Sequence, residues 1–442
     1  MNDKISSCIN PNLKLFPVKK NKVLVIGSGG REHAIIHQLK KSPLLAEIFC
    51  LSGNAGIEQI ANCITDIKIS NHQAVVDYCL INQIDLVVVG PEQPLVEGLV
   101  DSLQKANIKV FGPTKNAARL EGSKAFTKKI CDDYQIPTAK YKAFTNSDSA
   151  ILYLNEIAVP CVIKADGIAA GKGVIIAFHK EDAIDAVKEI FGGKFGEAGK
   201  SLIIEEFLEG DEVSFFAICD GKNAQFLGSA GDHKKVGEGD IGANTGGMGT
   251  YSPSPFIDSK LQDKIMQEMI FPTLKAMNNL GCPFTGVLFA GLILTKDGPK
   301  LLEFNTRFGD PETQSLLPRL KTDLLQLMLD AVGGNLENKT IEFYDQSAVC
   351  VVLAANGYPE EYQKGSEIKN LEVAENSYDD VIIFHSGTKK IDEKIIANGG
   401  RVLGVVALDK NITQARTKAY KAIDLIDWKD GFCRRDIALK IT

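Results

Sequence analysis

The sequence predicts a protein of several domains that mixes α/β and α+β architecture, and three observations lead to this fold class. The chain has 442 residues, which is about three ordinary domain lengths. Apolar strands alternate with helical stretches over residues 22–122, which predicts a parallel sheet covered on both faces. Further along, strand pairs joined by short glycine-containing turns predict antiparallel hairpins.

These changes of pattern divide the chain into four segments. Residues 1–21 carry Asn, Pro and Lys with little periodicity and predict a poorly ordered extension. Residues 22–122 predict an N-terminal α/β substrate-binding domain, and 123–340 a central domain with a mobile flap subdomain at about 142–210. Residues 341–442 predict a small C-terminal α+β domain.

Composition argues against several classes of function. The formal net charge is -6, from 50 basic and 56 acidic residues, and a nucleic-acid partner needs a basic surface. No apolar run reaches the length of a membrane span or of a secretory signal. The ten cysteines are scattered without a Cys-x-x-Cys pair, as in proteins of a reducing compartment. We therefore expect a cytoplasmic protein that binds neither nucleic acid nor membrane.

The N-terminal strands are short apolar runs, and the first leads into a glycine-rich turn. They are predicted at Val23–Ile26, Ile48–Leu51, Leu86–Val89 and Val110–Phe111. The turn contains Gly29, Gly30, Arg31 and Glu32 and opens a helix that carries Ala34, Ile35 and Leu39 on one face. Free amides at a helix N-terminus predict a phosphate site, and the alternative is a tight turn without a ligand.

The same turn does not match the dinucleotide fingerprint. Glu32 stands where a third Gly or Ala is required, and Leu51-Ser52-Gly53 replaces the acid expected after the second strand. A nicotinamide-dependent dehydrogenase is therefore disfavoured. His33 and His37 share a helix face at i, i+4, but no third ligand for zinc is evident.

A central hairpin carries a second glycine-rich loop. Strands predicted at Val159–Ala165 and Gly173–Phe178 flank a loop that contains Gly167, Gly171 and Lys172. Such a loop predicts a flap whose amides and Lys172 cover phosphates, although its spacing is not that of a Walker loop. Lys164 lies inside the apolar strand and, if buried, needs an anionic partner. The alternative is a surface lysine on an edge strand.

The next apolar strand ends in a run of acids. It includes Glu205, Glu206, Phe207, Leu208 and Glu212. Together with the flap, this segment predicts a hinge that holds adenine through its backbone and ribose through a carboxylate. Taken alone, the same pattern is typical of a solvated loop.

A second hairpin predicts the metal site. Strands at Gly286–Leu294 and Lys300–Asn305 are joined by Asp297-Gly298, a common hairpin turn. The period of two places Glu303 and Asn305 on one face, and their oxygens suit Mg²⁺. The charged residues Arg307, Asp310 and Glu312 follow at once.

The last hundred or so residues predict three strands and a closing helix. The strands are Ala348–Ala355, Val381–His385 and Val402–Leu408. The helix opens at Asn411, with Gln414 placed three positions later as in a capping box.

The order of these motifs resembles that of ATP-grasp enzymes and, among them, the phosphoribosylamine–glycine ligase family. The resemblance extends from about Lys22 to Asp436. It rests on Val25–His33, Val89–Glu92, Leu120–Phe126, Lys164–Gly173, Asp232–Lys234, Asn244–Gly249 and Glu303–Glu312. It implies ligation of glycine to 5-phosphoribosylamine through glycyl phosphate, with ATP and Mg²⁺ (or Mn²⁺).

The resemblance also implies a role for each matched residue. ATP is held by Lys124, Lys164, Gly171, Lys172, Gly173, Glu205, Glu206, Phe207, Leu208 and Glu212, and the metal by Glu303 and Asn305. Glycine and the phosphorylated amine contact Gly29, Gly30, Arg31, Glu32, Asp232, Lys234, Asn244, Thr245, Gly246, Gly247, Met248, Gly249, Arg307 and Asp310. Arg307, Asp232 and Lys172 are the candidate catalytic residues, and the protein is expected to be a monomer.

Two departures and two rival functions accompany this interpretation. Gly231 stands where the family is expected to have Gln, and the strand Gly286–Leu294 lacks a second metal carboxylate. An ATP-grasp carboxylase would share the fold but activate bicarbonate. A nucleotide-sensing binding protein would retain the fold without turnover.

Overall fold

The computed structural model describes residues 19–168 and 173–442. The predicted extension is thus described only from Lys19, and the flap residues Gly171 and Lys172 lie outside the described residues. The prediction of mixed α/β and α+β architecture is confirmed, since a parallel sheet is followed by antiparallel ones. Within the described ranges, no helix is long and apolar enough to cross a membrane.

The N-terminal sheet is parallel and buried on both faces. Its elements are β1 (Asn21–Gly27), α1 (Gly30–Leu39), β2 (Leu45–Ser52), β3 (Asn62–Ile64), α2 (His72–Ile81), β4 (Leu86–Val89), α3 (Glu92–Glu97), α4 (Leu99–Lys105) and β5 (Val110–Phe111). The strand order is β3-β2-β1-β4-β5. Val23 and Val25 pack into one core and Leu24 and Ile26 into another, which explains why β1 is apolar throughout.

A small antiparallel sheet follows a helical connection. The elements are α5 (Arg119–Gly122), α6 (Lys124–Tyr134), β6 (Tyr141–Phe144), α7 (Ser147–Glu156), β7 (Cys161–Ala165), β8 (Val174–Ala177), α8 (Lys180–Glu189) and β9 (Leu202–Glu206). The order is β6-β9-β7-β8. Ile163 on β7 packs with Ala150 and Ala183 of the two helices. The hairpin predicted around the flap is confirmed by the antiparallel pairing of β7 with β8.

The remaining elements build one large sheet and two small ones. From residue 211 they are β10 (Asp211–Asp220), β11 (Ala224–Asp232), β12 (Lys235–Gly237), β13 (Ile241–Asn244), β14 (Gly249–Ser252), α9 (Ser259–Ile265), α10 (Phe271–Asn279), β15 (Thr285–Thr295), β16 (Gly298–Asn305), α11 (Glu312–Leu316) and α12 (Leu324–Val332). They continue with β17 (Ser347–Ala355), β18 (Glu367–Ile368), α13 (Leu371–Glu375), β19 (Val381–His385), β20 (Thr388–Ile391), β21 (Lys394–Ala397), β22 (Arg401–Asp409), α14 (Ile412–Ile423) and β23 (Gly431–Phe432).

The large sheet crosses the boundary expected near residue 340. Its order is β16-β15-β10-β11-β14-β17-β22-β19, so β14 of the central segment pairs with β17 of the last one. The division into four segments stays a prediction. Asn411 caps α14 by accepting a hydrogen bond from the Gln414 amide, as the sequence indicated.

Candidate functional site

A cavity of about 1010 Å³ is lined by residues from the N-terminal sheet region, the small antiparallel sheet, β16 and the C-terminal part of the chain. Arg31 comes from the N-terminal sheet region, Lys164 from the small antiparallel sheet and Glu303 from β16. Arg401, at the start of β22, closes the cavity from the C-terminal part. Residues far apart in sequence therefore face one space.

One end of the cavity is built around buried lysines. We call Lys124, Lys128, Lys164 and Glu205 the lysine end. The Glu205 carboxylate pairs with Lys164 at 2.8 Å and with Lys128 at 3.1 Å. Lys164 thus has the anionic partner that its burial requires, and a surface position is excluded because its side chain is only 7% exposed. Burial lowers the pKa of both Lys124 and Lys128.

The hinge after β9 borders the same end. Glu206, Phe207 and Leu208 line the cavity, and the Glu206 carboxylate accepts a hydrogen bond from the Lys140 amide at 3.0 Å. Glu212 pairs with Lys234 at 2.9 Å. The positive charge of Lys234 holds the pKa of Glu212 below its ordinary value. Glu212, predicted to bind ATP, and Lys234, predicted to bind substrate, therefore form an ion pair.

Glu303 and Asn305 line the cavity from β16, on the shared face that the period of two predicts. Burial alone would raise the pKa of Glu303, but Lys234, Lys124 and Lys164 hold it below its ordinary value. A carboxylate and an amide oxygen are donors that suit a hard divalent cation. The cross-strand partner of Glu303 is Gly291, so β15 adds no third ligand. Among the described residues, no group of three His, Cys, Asp or Glu side chains forms a metal site.

Arg307 is held by partners on three elements, α3, α5 and β16. Its Nε lies 3.2 Å from Glu92, and its Nη2 lies 2.9 Å from Glu121. Nη2 also donates to the Asn305 Oδ1 at 3.1 Å. The carboxylates of Glu121 and Glu92 outweigh burial and raise the pKa of Arg307, so the guanidinium stays charged beside the predicted metal ligands.

The other end of the cavity is rich in carboxylates. We call Asp232, Asp310, Glu312 and Arg401 the aspartate end. Arg401 donates to the carbonyl oxygens of Gly246 and Asp310 at 2.5 and 2.9 Å. Burial, and then the nearby Glu312, raise the pKa of Asp232 well above its ordinary value. The buried Asp232 Oδ1 accepts no hydrogen bond from any residue that the structure describes.

The glycine-rich loop before β14 lies against this end. Asn244, Thr245 and Gly246 line the cavity, whereas Met248 is fully buried and Gly249 pairs with Val351. Gly247 has φ +112°, and an added Cβ would lie 2.4 Å from Pro311 and 2.8 Å from Asp232. Only glycine permits this close approach of the loop.

The predicted phosphate turn is only partly at the cavity. Arg31 lines it, but Gly29, Gly30 and Glu32 are not among its lining residues. The Glu32 carboxylate accepts a hydrogen bond from the Gly29 amide at 2.6 Å and thus takes one of the donors that a phosphate would use. The role of this turn in phosphate binding stays a prediction.

The departure at Gly231 has a local reason. Gly231 and Tyr251 are cross-strand partners, and a Cβ at residue 231 would lie 2.1 Å from the tyrosine ring. Tyr251 also lines the cavity. In this chain, the tyrosine therefore occupies the space that a glutamine side chain would need.

No role was assigned from the sequence to several residues that the structure places at the cavity. Glu92 and Glu121 lay inside recognised motifs, so their motifs were the available signal. Lys128 lies on the buried side of α6, together with Ile130 and Cys131, and a lysine on that face was the available signal. Arg401 follows two glycines at a strand start, and nothing local indicates that it reaches Gly246.

The fold and this cavity define an ATP-grasp enzyme. Models of the phosphoribosylglycinamide synthetase N domain, ATP-grasp (A) domain and C domain match residues 21–121, 122–313 and 348–440. The chain belongs to the phosphoribosylglycinamide synthetase family, and the resemblance inferred from its motifs is confirmed.

Individual relatives agree with the family models. The chain is 51% identical over 416 residues to the phosphoribosylamine–glycine ligase of Brucella melitensis, covering 94% of this chain and 97% of that protein. A crystal structure of the ligase from Thermotoga maritima has a TM-score of 0.82 and 32% identity, covering 94% and 100%. The biotin carboxylase domain of Hydrogenobacter thermophilus 2-oxoglutarate carboxylase has a TM-score of 0.71 at 16% identity, covering 93% and 91%. That last likeness concerns the fold alone.

Proposed function

We propose that this protein ligates glycine to 5-phosphoribosylamine with ATP, giving glycinamide ribonucleotide, ADP and phosphate. Family membership supports the reaction. The observation that carries the substrate assignment is the unpaired, buried Asp232 Oδ1 at the aspartate end. An ammonium group is the complement of such a carboxylate, and it would place the carboxylate of glycine toward Glu303 and Arg307.

The reaction proceeds in two transfers. A glycine carboxylate oxygen attacks the γ-phosphorus of ATP, and ADP leaves. The amine of phosphoribosylamine then forms the amide bond while the phosphate departs with the proton of the amine. Lys124 and Lys164 bind phosphate oxygens, and Arg307 stabilises the negative charge of the phosphoryl group during transfer. The flap with Gly171, Lys172 and Gly173 keeps water from the acyl phosphate.

Glu303 and Asn305 would hold Mg²⁺ or Mn²⁺, which supplies neutralisation of phosphate charge when bound. Glu206 to Leu208 receive adenine, and Glu212 receives ribose hydroxyls. Arg31 and the Asn244–Gly249 loop receive the phosphorylated amine, with Lys234 and Asp310 at its border. We infer that the protein acts as a monomer. The scattered free cysteines support a cytoplasmic location.

The test is an assay of purified protein with ATP, Mg²⁺, glycine and freshly prepared phosphoribosylamine. Glycinamide ribonucleotide and ADP should form in equal amounts, and omission of either glycine or the amine should stop ADP formation. Alanine should be a poor substrate, because a pocket built around a substrate as small as glycine has no space for an added methyl group. ADP formation with bicarbonate alone would contradict the proposal and favour a carboxylase. Binding of ATP without any turnover would favour a nucleotide-sensing protein.

A further inference from the structure

Glu121 holds the segment that joins the predicted metal ligand to the phosphoryl-binding arginine. It lies on α5, and its side chain is 9% exposed. One carboxylate oxygen lies 2.9 Å from Arg307 Nη2. The other accepts hydrogen bonds from the Thr306 amide at 2.8 Å and the Thr306 hydroxyl at 3.1 Å. A single side chain thus fixes two consecutive residues after Asn305.

The contact with Arg307 extends to the amide of Asn305. The same Nη2 that faces Glu121 donates to the Asn305 Oδ1 at 3.1 Å. A guanidinium on a flexible side chain has many rotamers, and a buried, charged partner selects one of them. The orientation of the Asn305 oxygen therefore depends on Glu121 through Arg307.

The second carboxylate near Arg307 is placed differently. Glu92 contacts Arg307 Nε at 3.2 Å, and its side chain is 26% exposed, against 9% for Glu121. Its carboxylate also lies 3.9 Å from Arg31. Glu121, in contrast, is anchored on the backbone next to its arginine. It is therefore the partner that fixes the position of Arg307.

We propose that Glu121 is a positioning residue for phosphoryl transfer, which sets the guanidinium of Arg307 and, through it, the amide oxygen of Asn305. This inference rests on the proposed function, because it takes Arg307 and Asn305 as parts of the phosphoryl-transfer site. In this proposal, Glu121 acts through Arg307 rather than on the reacting atoms.

The experiment compares Glu121→Gln with Thr306→Val. The glutamine keeps an acceptor for Thr306 but loses the charge that orients Arg307, so kcat should fall about 10²-fold with the KM for ATP within about threefold of wild type. The valine removes only the hydroxyl contact and should leave kcat near wild type. Similar thermal midpoints for the two variants would separate positioning from folding.

A second variant and a second measurement keep the test decisive. Glu121→Asp retains the charge on a shorter side chain and should recover part of the lost kcat. Binding of Mn²⁺ in the presence of ADP should weaken about tenfold in Glu121→Gln and remain unchanged in Thr306→Val. This binding measurement does not depend on the glycine reaction, so it separates failure of the proposed function from failure of this inference. Wild-type kcat and wild-type Mn²⁺ binding in Glu121→Gln would overturn the inference, as would a change confined to KM.

Discussion

The two ends of the cavity differ in whether their buried carboxylate is paired. At the lysine end, Glu205 pairs with Lys128 and Lys164 at 3.1 and 2.8 Å. At the aspartate end, Asp232 is buried near Glu312, and within the described ranges its Oδ1 has no hydrogen-bond donor. At the first end, Lys128 and Lys164 already share a carboxylate, whereas at the second no described cation donates to the buried Asp232 Oδ1, although Arg401 belongs to that end.

This difference indicates that the aspartate end is the one at which a ligand would supply a partner for a buried carboxylate. Burial and the nearby Glu312 raise the pKa of Asp232, and the ammonium group of an amino acid bound beside it would lower that pKa again. At the lysine end, Lys128 and Lys164 already have the Glu205 carboxylate between them. Four variants or conditions test this comparison, from the largest expected effect to the smallest.

Glu303→Gln should have the largest effect. One oxygen ligand remains, but the negative charge that faces the metal and Lys124 is lost, so kcat for ADP formation should fall about 10³-fold or more. The measurement is a coupled ADP assay at ordinary Mg²⁺, with the thermal midpoint recorded in parallel. Glu342→Gln removes an exposed carboxylate paired with Lys321 and serves as the control. Near-normal turnover of the Glu303 variant would remove this residue from the metal site.

Lys128→Met tests whether the pairing of Glu205 with two lysines stabilises the folded protein. The variant leaves Glu205 with one cation instead of two in a buried site, so the free energy of unfolding should fall by about 3 kcal/mol. The measurement is urea denaturation at pH 7.5.

A neighbouring lysine provides the matched control for Lys128. Lys129 is exposed and pairs with Asp133 four residues later, so Lys129→Met should leave the stability unchanged. Equal stability of the two variants would show that the buried pairs at this end contribute nothing. A rise in the KM for ATP is expected for Lys128→Met only, because Glu205 loses Lys128 and then holds Lys164 more firmly away from the phosphates.

Asp232→Asn tests the unpaired end, and its two effects should have opposite signs. The KM for glycine should rise about 10²-fold, because the ammonium group loses its charged partner. The free protein should be as stable as wild type or more stable, because a buried carboxylate that pairs with no cation among the described residues has been removed. The KM for ATP is the internal control. A variant that is less stable and binds glycine normally would reverse the comparison.

The smallest effect on turnover at neutral pH is expected from histidines at the contact between α1 and β19. The His385 amide donates to His33 Nδ1 at 2.9 Å, and burial lowers the pKa of His33, while His37 and His385 have pKa values of about 4. These groups are neutral in the folded protein. As the pH falls from about 6.5 toward 4, the unfolded chain gains protons that the folded one does not bind, so stability should fall.

The slope should be at most about 1.4 kcal/mol per pH unit for each histidine, and it should vanish above pH 6.5 or so. Urea denaturation between pH 7.5 and 4.5 measures it. His385→Asn keeps the backbone donor to His33. It should reduce the slope of the free energy of unfolding against pH by the contribution of one histidine. Identical curves for the variant and the wild type would exclude His385 from this effect.

Much of the fold could be predicted because local pattern and burial agree. The strands at Leu86–Val89, Val110–Phe111 and Val381–His385 have the predicted bounds, since each is an apolar run between turn residues. β3 was not predicted, because Asn62–Ile64 is only three residues long and has no period of its own. The pairing of β14 with β17 could not be predicted from the sequence either, because strands about a hundred residues apart leave no local pattern.

The candidate site divides in the same way. The shared face of Glu303 and Asn305 follows from the period of a strand, and the need of Lys164 for a partner follows from the cost of burying a charge. That the partner is Glu205 depends on the register of β7 against β9, in which Val162 lies opposite Glu205. That Lys128 shares it depends on the packing of α6 beside β9. The role of Glu121 likewise appears only when α5 is placed beside the loop after β16.

The sequence by itself determined the order of the motifs, the types of strand and hairpin, and the chemical groups available for ATP, a metal and an amino acid. These properties are local, because periodicity and turn chemistry act over a few residues. The tertiary structure alone decided that Arg401, at the start of β22, holds Gly246, and that Asp232 keeps an oxygen without a donor. Charge pairing is a property of distance in space, and the chain sets that distance only when its sheets are assembled.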